Sequence, residues 1–324
     1  RMNSLSNTTS SLRSTSGTTE NWRSMSWYFN ADYKYQNRYL LNVVAAMDAS
    51  SRFKSSTSAE KLFLVMRGYR LNYYAVTAEL ARVYMYAGKT SEAYGEAMKL
   101  ITVNKSKRYF KASTSESDIR DKGNMKMYND IIFGLYSPTE LVDWDQAINH
   151  SYDGSGGNEK YLALSKEMVE RIYDSEEQKE DWRFVYQLEP KDDNCYRPLK
   201  YYKQSESVSY GKISNQTIPL IRMSEIYYIA AEAVFETNPN EALEYLKTVR
   251  TGRGIKSAVS GETKENFVNL LVQDACREFL GEGQILYMYK RLNKKFYKWN
   301  NGQEIIPLDE NVVLPLPESE MNIK

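Results

Sequence analysis

Two stretches of this chain repeat the same spacing of small residues, and that repetition limits the fold more than any other feature. In 221–250, IRMSEIYYIAAEAVFETNPNEALEYLKTVR, the residues Ile226, Ile229, Ala230 and Ala233 recur at helical spacing and give one apolar face. Asn238 and Pro239 then punctuate. Asn is a good helix N-cap, and Pro at the first helical position gives up no hydrogen bond. A second helix follows, with Ala242, Leu243, Leu246 and Val249 on one side. Ala230 and Ala242 are twelve apart, so a small side chain sits on each helix where the two cross.

The same interval separates Ala81 from Ala93 in the earlier stretch RLNYYAVTAELARVYMYAGKTSEAYGEAMKLI. There Leu80, Ala81, Tyr84, Gly88, Ala93, Ala97 and Leu100 fall in register. Gly88 predicts the end of the first helix, and Thr90 or Ser91 the start of the second. Two hairpins with matched spacing resemble tetratricopeptide repeats. The expected fold class is therefore mostly α: tetratricopeptide-like helical hairpins form a scaffold, and an irregular, loop-rich insert with short strands interrupts it. A plain helical-hairpin bundle is the simpler alternative.

Around these hairpins stand further segments in a fixed order. Arg70, Leu71, Asn72, Tyr73, Tyr74 and Ala75 lead to Ala87 and Gly88. Ile132, Phe133, Gly134, Leu135, Tyr136 and Ser137 come next. Ile218, Pro219, Leu220, Ile221 and Arg222 run into Glu232 and Ala233, closed by Val249, Arg250, Arg253 and Gly254. Arg277, Glu278, Phe279, Leu280, Gly281, Glu282, Gly283 and Gln284 precede Lys290 and Arg291, and Leu314, Pro315, Leu316 and Pro317 lie near the end. The ordered set resembles the SusD/RagB family of outer-membrane nutrient-binding lipoproteins from about residue 58 onward.

The resemblance implies a non-catalytic protein held by lipid at the cell surface in the outer membrane. It implies capture of oligosaccharide, or less often peptide, and delivery to a TonB-dependent outer-membrane transporter of the SusC type. It also implies an export signal and a lipid-bearing cysteine near the mature N-terminus. Neither lies within these residues, so the chain is expected to lack the family's N-terminal part. The expected organisation is a single domain, 1–324, with helical repeats at about 60–103 and 221–291. An insert fills about 105–217, and 1–57 forms a Ser/Thr-rich entry with a helix at 35–47.

Composition excludes other classes. Lys and Arg number 43 against 42 Asp and Glu, so the basic excess of a nucleic-acid binder is missing. No apolar run reaches the length of a membrane span. One histidine, His150, and two distant cysteines, Cys195 and Cys276, cannot build a zinc-type site, and sequence leaves their pairing open. No cofactor is expected. The 27 tyrosines are the outlier, and most are read as helix packing, although Tyr also suits ligand surfaces with its apolar ring and wet tip.

Within the insert, 131–133 reads as a short buried strand and Ser137 with Glu140 as a capping box. Lys105 to Gly123 reads as loop, 162–173 as helix, and 182–186 and 196–202 as extended, with Pro198 keeping a strand at an edge. A sugar site needs flat aromatic faces and side chains that bond hydroxyls. The insert offers Trp144, Tyr152, Trp182, Tyr196, Tyr201 and Tyr202, with Asp145, Asn149, Asp153, Asn158, Asn194 and Arg197 as polar partners. The candidate ligand-binding set is Trp144, Asp145, Asn149, Tyr152, Tyr196 and Arg197, with no catalytic and no metal residues. Trp182, in an apolar run, is read as core. Asp143 and Asp145 could suggest glycan hydrolysis, but two carboxylates beside a tryptophan more often face solvent. Glu225, Glu232, Glu278 and Arg291, set among apolar neighbours on helices, are read as buried ion pairs that fix hairpin register. A protein-binding adaptor is the rival from a different class, and an envelope glycan hydrolase is a third reading.

Overall fold

A computed structural model describes residues 24–35, 39–50, 69, 71–111, 114–137, 151–152, 159–160, 163–173, 176–191, 195–259, 261, 263–294, 296–297 and 305–306. For 24–50, 151–152, 159–160, 296–297 and 305–306 only the backbone is considered. Contacts divide the chain into residues 1–65 and 66–324, each taken by itself.

In the first unit, β1 (Ser24–Tyr35) and β2 (Tyr39–Ser50) form an antiparallel hairpin, paired from Ser24 with Ser50 to Tyr35 with Tyr39. This corrects the helix expected at 35–47. Leu40, Leu41, Val44 and Ala45 fit a helical stripe, but Val43 and Val44 together with the aromatic segment Trp27, Tyr28 and Phe29 favour pleated pairing. A partner strand of equal length, outside any helical window, decided the outcome.

In the second unit the helical scaffold is built from α1 (Tyr73–Tyr86) and α2 (Thr90–Lys107). Asn72 caps α1, its side chain accepting from the amides of Tyr74 and Ala75 at 2.9 and 3.0 Å. Gly88, at φ +71°, turns the chain in a conformation that side chains resist. Then come α3 (Glu116–Arg120), β3 (Ile131–Tyr136), and two short strands, β4 (Ser151–Tyr152) and β5 (Glu159–Lys160). The chain continues through β6 (Leu164–Ser165), α4 (Lys166–Ile172), α5 (Trp182–Gln187), β7 (Leu188–Lys191), β8 (Cys195–Pro198) and α6 (Gly211–Gln216). After β9 (Thr217–Arg222) come the second hairpin, α7 (Met223–Val234) with α8 (Pro239–Thr251), and then α9 (Lys264–Glu278) and α10 (Ile285–Arg291). A short pair, β10 (Phe296–Tyr297) and β11 (Ile305–Ile306), follows.

The two hairpins pack side by side: α1 lies on α2, α2 on α7, and α7 on α8. Ala81, Ala93, Ala97, Ala230 and Ala242 are fully buried, as the small-residue spacing predicts. Phe235 stacks on Phe267 at 4.1 Å between centroids and joins α9 to this core. Asn238 caps α8 by accepting from the Glu241 amide, with Pro239 at its first position.

Several local expectations change. Glu116–Arg120 is helical where loop was expected, because Ser115 and Asp118 form a reciprocal capping box. Trp182–Gln187 is a helix, not a strand: Asp181 caps it by accepting from the Arg183 amide at 3.0 Å. The helix expected over 162–173 is confined to Lys166–Ile172 and follows strand β6. β8 lies in the middle of the order β6-β8-β7, not at an edge. Pro198 is tolerated because it pairs only with Leu188, beyond the reach of β6. The residues of the expected capping box after Ser137 lie outside the described residues.

β3 and β9 pair antiparallel, Ile131 opposite Arg222 and Tyr136 opposite Thr217. β9 runs straight into α7, whose first turn has no cap of its own. Asp130 supplies one from a distance, accepting from the Ser224 amide at 3.2 Å.

Candidate functional site

Between α1, β9, α7 and α10 lies a cleft of about 710 Å³. Its walls are mainly apolar, from Met85 on α1, Leu220 on β9, Ile229 on α7 and Met288 on α10, with Phe133 and Phe279 adding aromatic surface. α10 reaches this position because the chain breaks between α9 and α10 at Gly281 and Gly283, both at φ +76°. The interruption expected from Gly281, Glu282 and Gly283 is thus the elbow that closes one side of the cleft.

Ion pairs cross the cleft wall. Arg82 on α1 donates from Nε to Glu225 Oε1 at 2.7 Å and from Nη2 to Glu225 Oε2 at 2.8 Å. It also reaches Glu79 at 3.0 Å and the Leu220 carbonyl at 2.9 Å. Burial works against the charge on Arg82, but Glu225 beside it outweighs that and raises its pKa. Arg291 on α10 grips Glu232 on α7 with both terminal nitrogens, Nη2 donating to Oε2 at 2.7 Å. The expectation that Glu225, Glu232 and Arg291 are ion-paired holds, and each pair ties one helix to another. Gln284 donates to the Leu220 carbonyl at 2.9 Å.

At the rim, Tyr86 and Tyr287 meet edge to face, their centroids 6.1 Å apart. They are 44% and 57% exposed. Partial burial of Tyr86 pushes its phenol up to about 12. A ridge on α1 runs on from the rim: Tyr73, Val76, Leu80 and Val83 are exposed at spacings of three and four.

Behind the cleft is a buried ionic cluster. Its cations are Arg183, Lys200, Arg222, Arg250, Arg253 and Arg277; its anions are Asp130, Glu177, Asp181, Asp274, Glu278 and Glu282. Glu278 is its hub, bonded to Arg183 at 3.1 Å and to Arg222 and Arg253. Although burial opposes its charge, Arg253, Arg222 and Arg183 hold its carboxyl well below the usual range. Asp130, fully buried and facing the Glu278 charge, is raised despite Arg253 and Arg222. Tyr228 donates to Asp274 at 2.5 Å and links the cluster to the cleft wall. Lys200, buried and bonded to Glu282, is nevertheless pushed down to about 8 by desolvation.

Of the sequence-derived ligand residues, Tyr196 and Arg197 are described with their side chains, and neither lines this cleft. Trp144, Asp145 and Asn149 lie outside the described residues, as do Asp153, Asn158 and Asn194. Tyr152 lies on β4, opposite Glu159. Tyr196 packs against Phe184, centroids 5.8 Å apart, beside Val169, Tyr173 and Leu188. Arg197 is buried, donates to Glu189 at 2.8 Å and covers the Tyr202 ring at 5.1 Å. Tyr201 is buried under Lys126, 5.0 Å from its centroid, and Trp182 packs against Gly254. Both cysteines are free thiols. Sequence reasoning missed Arg82, Tyr86 and Tyr287, because the two tyrosines meet only through the tertiary fold. The exposed position of Tyr86 on α1, off the Ala78, Ala81 and Met85 face, was the one available signal.

No curated relative matches the chain. Solved structures similar to it include two SusD superfamily proteins. One, from Bacteroides vulgatus ATCC 8482, has a TM-score of 0.59 at 19% identity, over 82% of this chain and 61% of that one. The other, from Bacteroides thetaiotaomicron VPI-5482, has a TM-score of 0.55 at 20% identity, over 77% of this chain and 56% of that one. A candidate sugar-binding protein from Bacteroides vulgatus ATCC 8482 gives 0.56 at 21% identity, over 78% of this chain and 58% of that one. The aligned part therefore spans about three fifths of these relatives, and at such identities the likeness establishes the fold. The SusD family model matches residues 11–322. With nearly its whole length matched in this way, the chain belongs to the SusD family.

Proposed function

We propose that this protein binds oligosaccharide without making or breaking a bond, and hands it to a TonB-dependent transporter of the SusC type at the outer membrane. The observation that carries this reading is the family match over residues 11–322. The sugar-binding description of one similar structure supports it. The cleft supports the non-catalytic part: Glu79, Glu225, Glu232 and Glu282 on its wall are each ion-paired to Arg or Lys. A carboxylate engaged in this way is a poor general acid. In this reading a lipid anchor holds the protein at the cell surface.

The test is calorimetry of the purified protein against neutral oligosaccharides, acidic oligosaccharides and peptides, with product analysis of each mixture. Binding with no product is expected for glycans. Turnover would make the protein a hydrolase. Trp144→Ala should weaken glycan binding about tenfold if the insert contributes an aromatic platform; unchanged affinity would remove Trp144 from the site. A protein-binding adaptor has one observation on its side, the exposed ridge of Tyr73, Val76, Leu80 and Val83. Silence across all glycans and peptides would favour it.

A further inference from the structure

We infer that the outer face of α1 is a self-association surface, on which a second copy of this chain packs its own α1 antiparallel. The exposed residues of α1 are Tyr73, Val76, Leu80, Val83 and Tyr86, and all five are apolar or aromatic. They follow one another at intervals of three and four, so they form a single ridge along the helix. The other end of the row of helices is finished differently. There α8 exposes Asn240, Glu244, Lys247, Thr248 and Thr251, with Glu244 and Lys247 paired at 3.1 Å. A helix row that ends in water needs a polar outer face, which α8 has and α1 lacks.

The order of the ridge residues points to the occupant. Tyr73 and Tyr86 are thirteen apart, Val76 and Val83 seven apart, and both pairs share one midpoint, between Glu79 and Leu80. The ridge therefore reads Tyr, Val, Leu, Val, Tyr from either end. A two-fold axis at that midpoint sets Tyr73 against the partner's Tyr86 and Val76 against the partner's Val83, the reciprocal contacts of an isologous pair. Leu80 lies next to the axis and meets its own copy. Glu79 beside it is ion-paired to Arg82 at 3.0 Å, so no unanswered charge is buried there. Tyr287, in edge contact with Tyr86, extends one end of the ridge, and Leu71, exposed two residues before Tyr73, extends the other. The exposed side-chain area of these seven residues is on the order of 600 Å² per copy, the lower end of what stable interfaces bury. The expected dimer is therefore one that dissociates on dilution. A partner of unrelated sequence could use the apolar surface, but the symmetry of the ridge matters only to a second copy.

Analytical ultracentrifugation over a concentration series reads the association directly. The mass should rise from 37.6 kDa toward twice that value. Leu80→Glu places two carboxylates across the axis, one from each copy, and should weaken the dimer at least about tenfold. Leu80 is exposed, so the variant keeps the fold, and its thermal midpoint at monomeric concentration checks this. Mild oxidation reads the register. An equal mixture of Val76→Cys and Val83→Cys chains should form disulfide-linked pairs. Either variant alone should not exceed the wild type, whose free Cys195 and Cys276 set the background. In the antiparallel pair the two copies of position 76 are about 10 Å apart along the helix, beyond the ~7 Å limit between Cα atoms for a disulfide. A wild type that stays monomeric at every concentration overturns the proposal and leaves the ridge to a partner of different sequence. Leu80→Glu that dimerises like the wild type overturns it too, since the contact would then lie elsewhere. Linkage of Val76→Cys with itself as efficient as in the mixture overturns the antiparallel register. None of these results depends on a glycan, so glycan binding stands or falls separately.

Discussion

Glu278 is one carboxylate among three guanidiniums, and its surroundings decide what its loss would cost. Arg183, Arg222 and Arg253 are almost fully buried, so removing the hub strands positive charge away from water. Breaking a buried pair from one side typically costs about 3–5 kcal/mol. Glu278→Gln, which keeps the shape and removes the charge, should lose that much in urea unfolding. A loss below about 1 kcal/mol would mean that the cluster is far better hydrated than its burial implies. Lys200 gives a pH-dependent counterpart. Its value falls from 10.5 unfolded to about 8 folded, so between those limits the unfolded chain holds the proton more tightly. Stability should therefore rise from pH 8 toward 10 in the wild type relative to Lys200→Met. Parallel curves for the two proteins would reject the assignment.

The helices show how far local sequence reaches. Both hairpins, their turns at Gly88 and Asn238, and the break at Gly281 were legible, because spacing, caps and left-handed glycine are properties of neighbouring residues. Helix Trp182–Gln187 was not, since a six-residue element is held by Asp181 at its cap and by Arg183 reaching Asp274 and Glu278. The hairpin at 24–50 was missed for the same reason: its pairing lies across the turn, outside any helical period. The cleft was legible only in its ion pairs, not in its aromatic rim. The small residues make their own prediction. Ala230 has no exposure, and Ala230→Leu would insert three carbons where α7 packs among α2, α8 and α9. Overpacking of this kind costs about 1–3 kcal/mol. Thermal unfolding measures it, and an unchanged midpoint would mean that the seam has room to spare.

At the scale of the molecule, charge is distributed to cancel: 43 basic against 42 acidic side chains overall, and pairs within the cleft. Ligand capture governed by rings and hydroxyls should then be indifferent to ionic strength. Affinity for a neutral glycan is expected to change less than about twofold between about 50 and 500 mM NaCl. A steep salt dependence would point to an ionic ligand.

The dozen interlocked charges behind the cleft, six of each sign, have a consequence for how such a protein can diverge. Losing one member unbalances its neighbours, so single steps are penalised whichever position drifts. Change there has to arrive as double events, an arginine retired together with its acid. A described loop outside this knot carries no such coupling and can change one residue at a time while the knot stays as it is.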